Sequence, residues 1–210
     1  MKIQVKHAAA RQSGGVTVKI LMTDGEHRES RSLVLSESEW ARLGFSVGDE
    51  LDEDSYDALD QSAQYCEAVR RGMDLLSYGA NSRDALAVKL RRRGYDNQLA
   101  RRVAIELYER GYINENADAE GIVRACLCRG YGRKRIVMKL RERGYENDVI
   151  AEVLEAFEDV DYTANCADMI RKKYKKLPTE RAELDKLIAA MVRYGYSYGE
   201  IKGALEICNT

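Results

Sequence analysis

The side chains best placed to do chemistry in this chain are its clustered bases. They are Arg91-Arg92-Arg93, Arg101-Arg102, Arg133-Lys134-Arg135, and Arg171-Lys172-Lys173 followed by Lys175-Lys176. Guanidinium and ammonium groups donate to phosphate or carboxylate oxygens, so their chemistry is ionic recognition. Position decides how much each cluster says. Arg91, Arg92 and Arg93 fall in the last turn of a predicted helix, where the helix dipole already favours positive charge. Arg133, Lys134 and Arg135 open a predicted helix, where the dipole disfavours it. A placement against the local field points to a partner, either phosphate or an acidic protein face. Arg83 stands fifty positions before Arg133 and extends the same stripe. Lys172 and Lys173 read either as a solvated helix end or as part of this surface.

Bond-making chemistry has little to work with. There is no glycine-rich phosphate loop ending in Lys-Ser/Thr and no nucleophile elbow. The two histidines, His7 and His27, lie in the N-terminal segment, so a Cys-His or Ser-His mechanism finds no support elsewhere. Cys126 and Cys128 are one residue apart, closer than zinc-ligand spacing. With Cys66, Cys166 and Cys208 they make an odd number and no disulfide framework; thiols acting mostly as small buried hydrophobes are expected. The reading is a protein that is not an enzyme and uses neither metal nor cofactor.

The 210 residues carry 34 Lys+Arg against 35 Asp+Glu. This balance argues against bulk electrostatics as the main source of affinity for nucleic acid. Local potential still governs encounter, so clustered bases keep their meaning. Residues 1–56 are acidic, with seven bases against ten acids, whereas residues 161–210 hold nine against seven. No run approaches eighteen apolar residues, and the N-terminus lacks an apolar signal core, so a cytoplasmic protein is expected.

The elements that must position the bases come from an internal repeat. Lys89-Leu90-Arg91-Arg92-Arg93-Gly94-Tyr95-Asp96-Asn97 returns as Lys139-Leu140-Arg141-Glu142-Arg143-Gly144-Tyr145-Glu146-Asn147, and more weakly at Met191–Tyr196. The fold class is mainly α: three tandem three-helix repeats after a small antiparallel β module. The expected divisions are 1–56 for the β module, then 57–115, 116–160 and 161–210. Ile3/Val5 and Val16/Val18/Ile20/Met22 alternate as strands, Asp24-Gly25 turns the chain, and Ser30–Leu35 returns. Ser36 or Ser38 can cap a short helix through Leu43, with Glu39 completing Ser36-x-x-Glu39 as a capping box. Gly48 and the acidic run to Asp54 read as a boundary. Helices are predicted over about 56–76 and from Ser82 to Arg93, with a third capped by Asn97. Ile136 and Leu140 match Leu86 and Leu90. Val149, Val153, Leu154 and Phe157 match Leu99, Val103, Ala104 and Leu107. Ile201, Ala204 and Leu205 form the last helix's face after a second capping box, Ser197-x-x-Glu200. Pro178 suits a helix start. Repeats that share buried surface are expected to stack into a bent rod.

Gly-Tyr recurs at 94–95, 111–112, 130–131, 144–145 and 195–196. Each pair reads as a helix stop closed by an aromatic ring. The alternative, tyrosines stacking on bases, requires exposed rings.

Several stretches together resemble the RecX family, regulatory proteins of the bacterial recombinase RecA. These are Tyr112-Ile113-Asn114-Glu115, Ala119–Arg124, Gly130-Tyr131-Gly132-Arg133-Lys134-Arg135-Ile136 and Leu140–Tyr145. The resemblance covers about 60–210 and is strongest over 83–157. Asn114 stands where the family has an acid, and Asp118 where it often has an aromatic. The resemblance implies tandem three-helix repeats. It implies binding in the groove of a RecA filament on single-stranded DNA, and inhibition of ATP hydrolysis, strand exchange and repressor self-cleavage. The expected partners are therefore that filament and its single-stranded DNA, with no membrane, and the chain acting as a monomer. The candidate surface comprises Arg83, Arg91, Arg92, Arg93, Arg101, Arg102, Arg133, Lys134, Arg135, Lys172 and Lys173. A free-standing DNA binder built from helix-turn-helix-like units is the competing reading.

Overall fold

Alternation of apolar and polar residues shapes the N-terminal segment. The computed structural model describes residues 2–174 and 176–209. In it β1 (Lys2–Ala10), β2 (Val16–Asp24) and β3 (His27–Leu35) run antiparallel. Ile3, Val5, Val16, Val18, Ile20, Leu33 and Leu35 are all buried in one cluster. Ser36 starts α1 (Glu37–Leu43) by accepting the Glu39 N–H at 3.1 Å. The acidic run read as a boundary instead holds β4 (Glu50–Leu51), which pairs with β1 and gives the sheet order β3-β2-β1-β4. Two residues are too few to show a period, so this strand is set by backbone pairing and by burial of Leu51.

Asp52 caps α2 (Glu53–Ser77), a few residues earlier than the predicted start. Leu59 and Ala63 on this helix complete the core of the sheet. Ser82 then caps α3 (Arg83–Arg91), accepting the Ala85 N–H at 3.1 Å. The helix stops at Arg91, so Arg92 and Arg93 lie in the following turn. Asp96, not Asn97, caps α4 (Asn97–Glu109); its Oδ1 accepts from the N–H groups of Gln98 and Leu99. Both residue types suit the cap, and the carboxylate also favours the positive end of the helix.

The remaining helices are α5 (Glu115–Cys128), α6 (Arg133–Glu142), α7 (Asn147–Glu155), α8 (Tyr162–Lys173), α9 (Arg181–Tyr194) and α10 (Tyr198–Asn209). Helix α9 begins at Arg181, so Pro178 sits in the link before it and not at its first position. The Ser197/Glu200 box is made in both directions, at 2.6 and 3.3 Å. Lys175 lies outside the described residues.

The chain forms two compact bodies: Met1–Gly79 with Leu86–Tyr112, and Ala80–Ala85 with Ile113–Thr210. In the first, Gly72 on α2 lies against Leu107 and Val103 of α4, and a Cβ there would sit 2.7 Å from the Leu107 side chain. In the second, one continuous core runs through α5 to α10. The three repeats share their buried positions. Leu86, Leu90, Val103 and Leu107 are matched by Ile136, Leu140, Val153 and Phe157, and Leu187, Met191 and Ala204 supply the third set. Each fully buried side chain of this size contributes about 1.5–3 kcal/mol.

All five Gly-Tyr pairs are helix stops. The glycines have φ of 97, 78, 68, 79 and 97° in chain order. The tyrosine N–H groups donate back to Leu90, Leu107, Cys126, Leu140 and Met191 at 2.9–3.4 Å, and the glycine N–H groups to residues three earlier at 2.8–3.0 Å. Left-handed glycine with these two bonds satisfies carbonyls the helix end would otherwise leave unpaired.

Three glycines separate conformation from contact. Gly94 has positive φ and open space around it. Gly132 has an ordinary φ of −75°, but a Cβ there would lie 2.5 Å from the Gly195 carbonyl. Gly195 has both constraints, its Cβ position being 2.4 Å from the Arg135 nitrogen. In urea unfolding, Gly94→Ala is expected to lose about 1–2 kcal/mol and Gly132→Ala about 1–3 kcal/mol. Gly195→Ala should lose the most, roughly 3 kcal/mol or more. Equal losses at Gly94 and Gly195 would contradict the contact.

Candidate polyanion-binding surface

The site starts from three cations at the beginning of a helix. Gly132 precedes α6 and offers no side-chain cap. The first N–H groups are satisfied from α9 instead: Gly132 donates to the Tyr194 carbonyl at 2.9 Å and Lys134 to the Gly195 carbonyl at 3.1 Å. The Arg135 Nη1 donates to the Arg193 carbonyl at 3.0 Å. The positive end of α6 therefore meets the negative end of α9. This contact offsets the dipole penalty that the sequence assigns to Arg133, Lys134 and Arg135. Part of the partner inferred for Arg135 is thus the fold itself.

Around this junction the side chains form a cationic and aromatic surface. The rings of Tyr131 and Tyr194 pack with centroids 5.8 Å apart, tilted by 54°. Arg135 lies 5.0 Å and Lys139 5.8 Å from the Tyr131 centroid, and the Lys173 Nζ lies 4.1 Å from that of Tyr194. Such contacts are worth about 0.5–1 kcal/mol each at exposed sites. A hydrogen bond from Lys173, with the charges of Lys173, Arg135 and Lys172, holds the Tyr194 phenol below its ordinary range. Among the described residues, no carboxylate pairs with Arg133, Lys134, Arg135, Lys139, Lys172 or Lys173. Unneutralised cations beside half-exposed rings can hold a phosphodiester backbone and stack a base, or receive acidic side chains.

The other sequence-predicted residues divide. Arg83 is bound up in the second body. Its backbone N–H and Nε donate to Glu115 at 2.7 and 2.9 Å, and Nη2 lies 3.6 Å from Glu146. Glu115 is only 3% exposed, so Arg83 neutralises a buried charge. Arg91, Arg92, Arg93, Arg101 and Arg102 are exposed on the first body, with Arg102 4.6 Å over the Tyr65 ring. The tyrosines of the Gly-Tyr pairs divide too. Tyr145 and Tyr196 are buried, and Tyr196 donates to the Gly130 carbonyl at 2.9 Å. Burial pushes the Tyr145 phenol up to about 12 and the Tyr196 phenol higher still. Neither can stack on a base. Tyr112 is exposed, and Tyr95 and Tyr131 are half-buried.

Sequence reasoning missed Lys139 and Tyr194. Lys139 was legible, because it follows Arg135 by one helical turn. Tyr194 precedes its glycine, whereas the recurrent Gly-Tyr pair singles out tyrosines that follow one.

These features define a class: a helical-repeat protein with a small antiparallel sheet and a cluster of basic and aromatic side chains on its surface. The chain belongs to the RecX family. It is 33% identical over 148 residues to the regulatory protein RecX of Halorhodospira halophila, covering 70% of this chain and 91% of that one. It is 28% identical over 137 residues to RecX of Stenotrophomonas maltophilia, covering 65% and 83%. It matches RecX of Streptococcus sanguinis at 23% over 179 residues, covering 85% and 69%. A crystal structure of a regulatory protein RecX superposes with a TM-score of 0.72 at 21% identity, over 95% of this chain and 98% of that one. RecX from Lactobacillus salivarius gives 0.60 at 19% identity, over 69% and 96%. No family model matches the chain. Its relatives are named regulatory proteins, which supports a regulatory role. Among the described residues, no helix is long and apolar enough to cross a membrane.

Two measurements test this geometry. In a titration followed by tyrosinate absorbance, Tyr194→Phe should remove the earliest-ionising component, and Tyr145→Phe should leave it intact. Arg83→Ala should lower unfolding stability by about 3 kcal/mol, since it strands a buried carboxylate. A stability equal to the parent's would return Arg83 to the pool of surface cations.

Proposed function

We propose that the chain regulates a RecA recombinase by lying in the groove of the RecA filament on single-stranded DNA. Bound there, it inhibits ATP hydrolysis, strand exchange and repressor self-cleavage. In this reading it is a cytoplasmic, non-enzymatic monomer, and the repeats at 57–115, 116–160 and 161–210 are its contact modules. Family membership supports the regulatory part. The observation that carries the nucleoprotein part is the cluster of cations without carboxylate partners around Tyr131 and Tyr194. Lys134, Lys139, Lys172 and Lys173 with Arg133 are the proposed contacts in the second body. Arg91, Arg92, Arg93, Arg101 and Arg102 are those in the first. Arg83 and Arg135 support them structurally.

The near-neutral total favours a nucleoprotein target over bare DNA, because duplex binding by charge alone needs a larger excess of bases. Added to RecA on single-stranded DNA, the chain should lower the ATPase at or below equal ratio. Tight binding to naked DNA with an unchanged ATPase would favour the free-standing DNA binder. The combined variant Lys134→Glu, Lys139→Glu, Lys173→Glu should raise the half-inhibitory concentration by about tenfold or more and flatten its salt dependence. Its helical circular dichroism should be unchanged. Arg135 is kept, because a carboxylate there would face the Arg193 carbonyl. Parent-like inhibition by the triple variant would remove this surface from the interface.

A further inference from the structure

The bases leave the N-terminal β module without a role, and its free edge supplies one. β3 is an edge strand of the sheet. Asp24 and His27 close a two-residue turn. In such a hairpin the closing pair is hydrogen-bonded and the pattern alternates from there. His27, Glu29, Arg31, Leu33 and Leu35 therefore bond to β2, while Arg28, Ser30, Ser32 and Val34 aim their N–H and C=O groups outward. Ser36 continues this parity: its N–H points away from β2 and donates to the Cys66 Sγ at 3.2 Å. Across the sheet, Val5 follows the same alternation and pairs outward with Gly48 and Asp49. Among the described residues, nothing pairs with the outward backbone groups of Ser32 and Val34.

Exposed edges are normally blunted by charge. On β3 the charged residues are His27, Arg28, Glu29 and Arg31, and they end where a groove begins. That groove, about 840 Å³, is lined by every residue from Arg31 to Ser36. Its other wall is one flank of α2, with Ala63, Gln64, Glu67 and Arg70. A strand edge with a helix flank beside it is the geometry in which an extended peptide adds as an extra strand. Charge selects the kind of peptide. Asp60 is paired with Arg31, Glu39 with Arg42, and Arg110 with Glu106. Arg11 and Arg70 line the groove outside any ion pair, with Glu67 the one lining carboxylate outside one among the described residues.

We propose that the groove between β3 and α2 binds an extended, acidic peptide segment of a partner protein. The segment pairs its backbone with Ser32 and Val34 and sets carboxylates against Arg11 and Arg70. This site lies in the first body and does not depend on the surface around Tyr131.

The 210-residue chain is titrated against labelled decapeptide pools, with anisotropy as the readout. One pool carries Asp or Glu at alternate positions among Val, Ile, Thr and Tyr. A second carries Lys or Arg there, and a third is the acidic pool N-methylated at alternate residues. The acidic pool should bind at least tenfold more tightly than either other pool, and it should shift the Ser32 and Val34 amide resonances. Val34→Pro deletes one outward N–H, a position where an edge strand tolerates proline; it should abolish binding, whereas Ser30→Pro, outside the groove, should not. Arg70→Glu on the exposed flank of α2 should weaken the acidic pool and strengthen the basic one. Equal binding of acidic and basic pools, retention of the N-methylated pool, or amide shifts away from β3 would overturn the proposal. So would concentration-dependent dimerisation through β3 in the absence of peptide.

Discussion

The second body depends on a place where two backbones touch with no side chain between them. Gly132 ends the approach to α6, and Gly195 ends α9. Their closeness allows two N–H groups of one helix to fill two carbonyls of the other. A helix start and a helix end each carry unpaired groups that must be satisfied somewhere. Here one end satisfies the other, and the opposed dipoles add to the bond energy. The rings of Tyr131 and Tyr194 are brought together by the same meeting, since each is next to one of these glycines. The cations of α6 and α8 that touch those rings follow in turn. The candidate surface is thus assembled by a backbone contact and only decorated by its charges.

Much of the fold was legible because its signals are local. Period-two alternation marked β1 and β2, and the two Ser-x-x-Glu boxes marked the starts of α1 and α10. The recurrent Gly-Tyr pair marked all five helix stops. Failures came where a local signal had two readings. Asp96 and Asn97 are both capping types, and side-chain chemistry alone does not say which comes first. Glu50-Leu51 is too short to have a period. Pro178 permits a helix start without requiring one.

The site was legible in its ingredients and not in its assembly. The reversed-field argument at Arg133–Arg135 looked for something negative outside the helix, in a partner. Part of that something proved to be carbonyl groups of α9, a long-range contact that no window of sequence contains. Arg83 shows the opposite limit. Repeat alignment equates it with Arg133, yet Glu115, in a position the repeat does not mark as special, draws it into the structure. Two residues in equivalent frames thereby take different work, one holding a buried carboxylate and the other facing solvent.

Repeat proteins commonly assemble neighbour by neighbour, each module nucleating on the last. The joining of α6 to α9 restricts that freedom. The opening turn of α6 has its amides filled only once the final repeat has wound far enough to present Gly195. Closure of a long loop must therefore come before the middle repeat is complete, and non-local closure of this kind slows folding. The opening turn of α6 draws its partners from the third repeat, so a truncation before Tyr194 would leave the Gly132 and Lys134 amides without them.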